Sequence, residues 1–235
     1  MAARSLLSYT CHGRFRASHF LLASLVVLAL LATPAAMAQT TVTLTMEGVG
    51  PGSAGGPNLV GGYYVYPYYV SVNNSSAWTP MLCDTFSNDV SNGQSWSAYV
   101  STYSNLSNTM FKTAALYQEA AWLFHQLGTD PSASTAGAVN YAIWGLFEPT
   151  SGVESTSEWQ SSAVQNLLTA YSTASNQSAY DNSIVIYTPV GSSQGTGPQE
   201  FIAAATTPVP EPGTLALMGS GLITGLGFIR RKRLL

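Results

Sequence analysis

The sequence predicts an α+β domain: a β-rich N-terminal part, about three amphipathic helices and a returning C-terminal strand. A signal peptide and a C-terminal transmembrane helix are expected to flank it. Three observations lead there. Apolar residues alternate with polar ones as far as the region of Tyr103, and then recur at helical spacing from Leu116 to Tyr171. Basic residues are also segregated. Arg4, Arg14 and Arg16 stand at one end and Arg230, Arg231, Lys232 and Arg233 at the other, which leaves Lys112 against ten acids between Gln39 and Val209. So acidic a middle repels polyanions, and this excludes nucleic acid as a partner.

At the N-terminus the arginines precede an apolar run from Phe20 to Ala32, and the small residues Ala36 and Ala38 precede Gln39. That order is the pattern of a secretory signal, placing a signal peptide at 1–38 and an exported domain at 39–205. Removing the signal takes Cys11 with it and leaves Cys83 as a lone cysteine.

Within the domain, "TVTLTME" alternates as a strand with Val42, Leu44 and Met46 on one face. A Gly/Pro loop follows, and then "YYVYPYYVSV", where Tyr and Val favour a strand and Pro67 suggests an edge or a bulge. "WTPMLCDTF" and "QSWSAYVSTY" read as two more strands around a turn-rich segment. A first helix carries Leu116, Ala120, Leu123, Phe124 and Leu127, and stops at Gly128. A second starts near Asp130-Pro131 with Val139, Ile143, Leu146 and Phe147 on one face. A third follows Ser155 and Glu158 at capping-box spacing, with Val164, Leu167, Leu168 and Tyr171 as its apolar face. A strand returns at Ile184 to Thr188, and "GSSQGTGPQ" reads as loop.

Familiar catalytic and cofactor patterns are absent from the sequence. His125 is the one histidine beyond the signal, at the end of a helix, so multi-histidine metal sites are excluded. No Gly-x-Ser-x-Gly, P-loop or Cys-x-x-Cys occurs. Asp84, Asn88 and Asp89 could meet a calcium ion but lack EF-hand spacing, and a solvated turn accounts for them better. Trp78, Trp96 and the tyrosines from Tyr63 to Tyr69 could stack on sugar rings or pack a core. Lys112 with Asn140 and Glu119 could form an isopeptide bond, though a solvated lysine is the simpler account.

The tail explains the basic knot. From Gly213 to Ile229 run 17 uncharged residues, near the lower limit for a membrane span, and the cluster Arg230, Arg231, Lys232 and Arg233 follows as a stop-transfer signal. Preceded by Val209-Pro210-Glu211-Pro212, the stretch 206–235 resembles the PEP-CTERM sorting signal of Gram-negative bacteria. The resemblance implies recognition and processing at these four residues by an exosortase-like membrane enzyme. It implies transient residence in the inner membrane through the C-terminal helix, then delivery to the cell surface or extracellular matrix. Pro210 and Pro212 hold the chain extended, as suits a processing site.

A second resemblance lies in the domain. "LCDTF", the helix "LYQEAAWLFHQL" and "AVNYAIWGLF" follow in an order similar to the thioester domains of bacterial surface adhesins. In those, a cysteine bonds the glutamine of a Thr-Gln-x-Ala-Ile-Trp motif. Leu82-Cys83 and Ala142-Ile143-Trp144 match, but Asn140 stands at the glutamine position and Val139 at the threonine. The resemblance implies Cys83 and Asn140 as a degenerate thioester pair, formed when thiolate attacks carboxamide and ammonia leaves. A small buried apolar cysteine is the alternative. The expected function is that of an exported, non-enzymatic surface or matrix protein without cofactor or metal. The expected partners are the processing enzyme, the membrane, and exopolysaccharide or surface ligands. A covalent adhesin and a carbohydrate-binding module are the alternatives.

Overall fold

A computed structural model describes residues 40–50, 57–129 and 131–205. The signal peptide, the Pro-Glu-Pro motif, the span and the basic tail lie outside the described residues, and so does Asp130. Among the described residues, no helix is long and apolar enough to cross a membrane.

Six strands close into an antiparallel barrel in the order β1 (Thr41–Val49), β4 (Tyr68–Val72), β5 (Trp78–Cys83), β8 (Phe201–Ala204), β7 (Ile184–Pro189) and β6 (Ser95–Thr102). The pairing of β1 with β6, which sets Val42 against Ala98 and Leu44 against Trp96, completes the ring. β2 (Leu59–Val60) and β3 (Tyr63–Tyr64) form a separate hairpin. Three helices follow β6: α1 (Ala114–His125), α2 (Ala133–Phe147) and α3 (Ser162–Thr173).

Alternation along the strands fills the barrel. Leu44 and Met46 of β1, Tyr68 and Val70 of β4, Met81 and Cys83 of β5, and Phe201 and Ala203 of β8 make one buried cluster. The intervening residues of β5, β8 and β7 point the other way, where Leu82, Ile202, Ile184 and Ile186 pack with the helices in a second cluster. These strands are therefore covered on both faces. Closure leaves the barrel without free edges, which removes a template for aggregation.

The α+β expectation holds, with four corrections. The returning part is two strands, because Phe201–Ala204 pairs with both β5 and β7. Buried on three of its four residues, β8 shows no alternation in sequence, and periodicity could not find it. Helix α2 is not amphipathic: its buried residues include Gly137, Val139, Asn140, Tyr141, Trp144 and Gly145, so it is wrapped on several sides. A Cβ at Gly145 would collide with the Trp159 ring, so glycine is what admits that ring against the helix. Helix α3 begins later than the Ser155/Glu158 spacing suggests. Ser155 belongs to a 3-10 turn (Val153–Ser155) and its hydroxyl donates to the Gly152 carbonyl, while Ser161 caps α3 by accepting from Val164 N. Finally, Pro67 occupies no sheet edge. It is buried just ahead of β4, and its carbonyl accepts from Gly50 N.

Candidate functional site

A cleft of about 550 Å³ opens between the β2–β3 hairpin and the loop from Phe86 to Asn92. The hairpin turns through Gly61 and Gly62, whose φ values of +60° and +88° suit the two-residue turns that favour glycine. Its position is fixed from below. The Tyr68 hydroxyl donates to the Tyr64 carbonyl at 2.7 Å, and the Tyr141 hydroxyl donates to the Val60 carbonyl at 3.1 Å. Aromatic rings then line the wall. Tyr63 lies against Phe86 with centroids 4.9 Å apart, and Phe86 lies against Trp144 at 5.3 Å. Tyr63 and Tyr64 remain 45% and 49% exposed, whereas Trp144 at the base is buried.

The opposite wall is polar. Asn88 is buried and organises it: Nδ2 donates to the carbonyls of Ser193 and Gly197, both at 3.0 Å, while Oδ1 accepts from Gly195 N at 2.8 Å. Gln199 donates through Nε2 to the Asn88 carbonyl at 2.9 Å, and its Oε1, sealed from solvent, has no hydrogen-bond partner among the described residues. Asp89 contributes an exposed carboxylate, and among the described residues no basic side chain lines the cleft.

Behind the base stand Cys83 and Asn140, which the fold does bring together. Asn140 Nδ2 donates to the backbone carbonyl of Cys83 at 3.1 Å, and Asn140 Oδ1 accepts from Tyr66 N at 2.7 Å. Both ends of the carboxamide are thus spent on backbone. The thiol donates to the Thr85 carbonyl at 2.9 Å. Burial, followed by the neighbouring Asp84, pushes its pKa far above the ordinary thiol value; contacts with Trp144 and Thr85 offset part of this. A thiol held protonated is a poor nucleophile.

On the helix-facing side of the barrel, two residues beyond Leu82, Ile202 and Ile186, the apolar layer gives way to Asp84, Glu200 and Thr188, all buried. Glu200 accepts from the Tyr117 hydroxyl, the Thr188 hydroxyl and Met110 N. Among the described residues, neither Asp84 side-chain oxygen has a hydrogen-bond partner. Two buried carboxyls this close disfavour double ionisation, and a proton on Asp84 relieves the like-charge pair. Burial first, and then the Glu200 charge, raise the Asp84 pKa well above the carboxylate range. Glu148, at the end of α2, accepts from Ser87 N at 3.0 Å and ties the cleft loop to the helix.

The remaining candidates disperse. Asp84, Asn88 and Asp89 do not form a solvated turn, because the first two are buried and engaged inside the fold while only Asp89 is exposed. Among the described residues, no group of three His, Cys, Asp or Glu side chains is placed to hold a metal ion. Lys112 is exposed and Asn140 fully buried. His125 is exposed and stacks on Tyr180, with centroids 3.8 Å apart. Trp78 is exposed beside Tyr69, away from the cleft, and Trp96 stacks on Phe201 of the barrel interior. Sequence reasoning found Tyr63 and Tyr64 but missed Phe86, Trp144 and Gln199 as wall residues. Gly61-Gly62 was the available signal for a hairpin there; Gln199 had none.

Residues 208–233 match the model of the PEP-CTERM protein-sorting motif. The motif indicates an exported protein that is sorted through an exosortase, a membrane enzyme. No curated protein and no solved structure matches the chain.

Proposed function

We propose that the protein is a non-enzymatic module delivered to the cell surface or extracellular matrix, where its barrel domain acts as a structural or adhesive unit. The sorting motif at 208–233 carries this reading. The domain ahead of it suits life outside the membrane: a closed barrel without sheet edges and with Lys112 as its one lysine. Val209, Pro210, Glu211 and Pro212 serve as the processing site, and Arg230, Arg231, Lys232 and Arg233 hold the C-terminus on the cytoplasmic side until processing. The test replaces Pro210-Glu211-Pro212 with alanines in an exosortase-bearing Gram-negative host. Retention of the unprocessed chain in the inner-membrane fraction is expected; wild-type amounts at the surface would overturn the reading.

The covalent alternative receives one supporting observation, the contact between Asn140 and Cys83. Against it stand the bonding of the carboxamide to Tyr66 N and the protonated thiol. A non-covalent brace is the better reading of the pair. Intact mass decides between them, since a thioester lowers the mass by one ammonia and methylamine reverses the loss.

A further inference from the structure

The seam between β5 and β8 ends in a like-charge pairing. In register, Met81 faces Ala203, Leu82 faces Ile202 and Cys83 faces Phe201. Asp84 N donates to the Glu200 carbonyl at 3.2 Å and adds one more rung, so two carboxyl side chains stand directly opposite each other. Both are fully buried, and so is Glu148 at the end of α2. The groups facing the pair are Cys83 of β5, Tyr117 of α1 and Glu148, each of which titrates to an anion. Thr188 of β7 adds only a hydroxyl. No cation joins them: Lys112 and His125 are the only basic side chains among the described residues, and both are exposed. Like charges directly opposite in a sheet repel, and a sealed site offers neither water nor a counter-ion. The folded pair therefore holds a proton.

Beyond this pair, polar bonds tie two loops together. Glu200 N donates to Thr85 Oγ1 at 3.2 Å, and Gln199 Nε2 donates to the Asn88 carbonyl at 2.9 Å. Asn88 in turn reaches the Ser193 and Gly197 carbonyls and Gly195 N. Residues 84–88 and 193–200 are thus zipped side by side, with the carboxyl pair where the zip meets the barrel. A few side-chain bonds open more cheaply than the strand ladders. Opening admits water, and a hydrated Asp84 ionises near the usual aspartate value of about 3.9. In the closed state burial, and then the Glu200 charge, raise its pKa well above the carboxylate range. A group raised in this way favours closure at low pH, and that advantage is lost as pH rises toward the closed value. Within that window the open fraction grows about tenfold for each pH unit. Burial keeps Cys83 and Tyr117 protonated throughout, so neither supplies the change.

We infer that residues 84–88 and 193–200 form a proton-held clasp, closed in acid and opened by rising pH while the rest of the barrel stays folded. Opening releases the loop from Phe86 to Asn92, one wall of the cleft. The inference goes beyond the export reading and does not depend on it. Its test is hydrogen exchange of the full chain, purified in detergent, between pH 5 and pH 8, with each rate divided by the intrinsic rate at that pH. Protection of the amides in 84–88 and 193–200 should fall at least about tenfold over this range. Amides of β1 and β6, across the ring from the β5–β8 seam, should keep theirs. Asp84→Asn cannot ionise, so its protection should not change with pH. If that variant does not fold, the wild type alone decides. The infrared carbonyl band of a neutral carboxyl should be present at pH 7 in the native chain and absent once the chain is unfolded at the same pH. Constant protection in 84–88 and 193–200 overturns the inference, as does an equal fall in Asp84→Asn. A fall shared by β1 and β6 overturns the clasp as a local device, and absence of the neutral-carboxyl band overturns its proton.

Discussion

The domain has a sealed polar layer and an open cleft, and solvent reaches only the second. The layer of Asp84, Glu200 and Thr188 is sealed, and Glu200 is saturated by two hydroxyls and a backbone N–H. The cleft is open, with two tyrosine rings half in water and the Asp89 carboxylate exposed at its rim. In the first region Glu200 ties helix α1 to strand β7 and to the segment ahead of β8, while neither Asp84 oxygen has a hydrogen-bond partner among the described residues. In the second, Ser87, Asp89, Ser91 and Asn92 face solvent. Acidic residues are therefore a poor guide to function here: the most buried carboxyls are structural, and the site worth probing is built mostly from aromatic rings and amides.

Removing the acceptor of the sealed layer tests this contrast hardest. Glu200→Ala strands the Tyr117 and Thr188 hydroxyls and Met110 N without a partner. Unfolding free energy should fall by about 3–5 kcal/mol, read from chemical denaturation. A loss under 1 kcal/mol would mean that the layer is not holding the elements together. Asn140→Leu should follow, at about 2–3 kcal/mol, because Tyr66 N and the Cys83 carbonyl lose their shared amide.

The Asp84 proton gives a smaller effect with a definite sign. Its folded pKa lies above the unfolded value of about 3.9, so its contribution to stability is full below that value and is lost as pH rises toward the folded pKa. In Asp84→Asn the group cannot ionise, so the melting temperature should drop less between pH 5 and pH 8 than in the wild type. Equal slopes would show that the proton is not there. Cys83 should resist iodoacetamide in the native state and react only on unfolding, since the protonated thiol is fully buried. The smallest change in stability belongs to the cleft. Tyr64→Ala should stay within about 0.5 kcal/mol of wild type in denaturation, and a loss of stability comparable to that of Glu200→Ala would erase the contrast.

Legibility in the sequence followed the range of the forces involved. Strand β1 announced itself because Val42, Leu44 and Met46 alternate toward a single core. Helix α3 did so because its one apolar face is Val164, Leu167, Leu168 and Tyr171. Strand β8 did not, since burial on both sides erases the period that marks a half-buried element; helix α2 was legible from Val139, Ile143, Leu146 and Phe147, but its burial on several sides was not. The Ser155/Glu158 pair misled for a related reason: capping-box spacing is only three residues, and a nearby 3-10 turn used the same serine.

Alone, the sequence determined the address of this protein and its charge. The Pro-Glu-Pro motif, the uncharged run and the basic end are contiguous, and a sorting enzyme reads contiguous chain. It also determined the α+β class, because periodicity is a local property. Only the tertiary structure decided that the strands close into a barrel, since that depends on Val42 meeting Ala98 across more than fifty residues. It likewise decided that Asn140 braces Cys83 and Tyr66, and that Tyr63, Trp144 and Gln199 face one cleft. Contacts between residues so far apart in the chain leave no spacing to read; they arise only once burial has chosen which faces point inward.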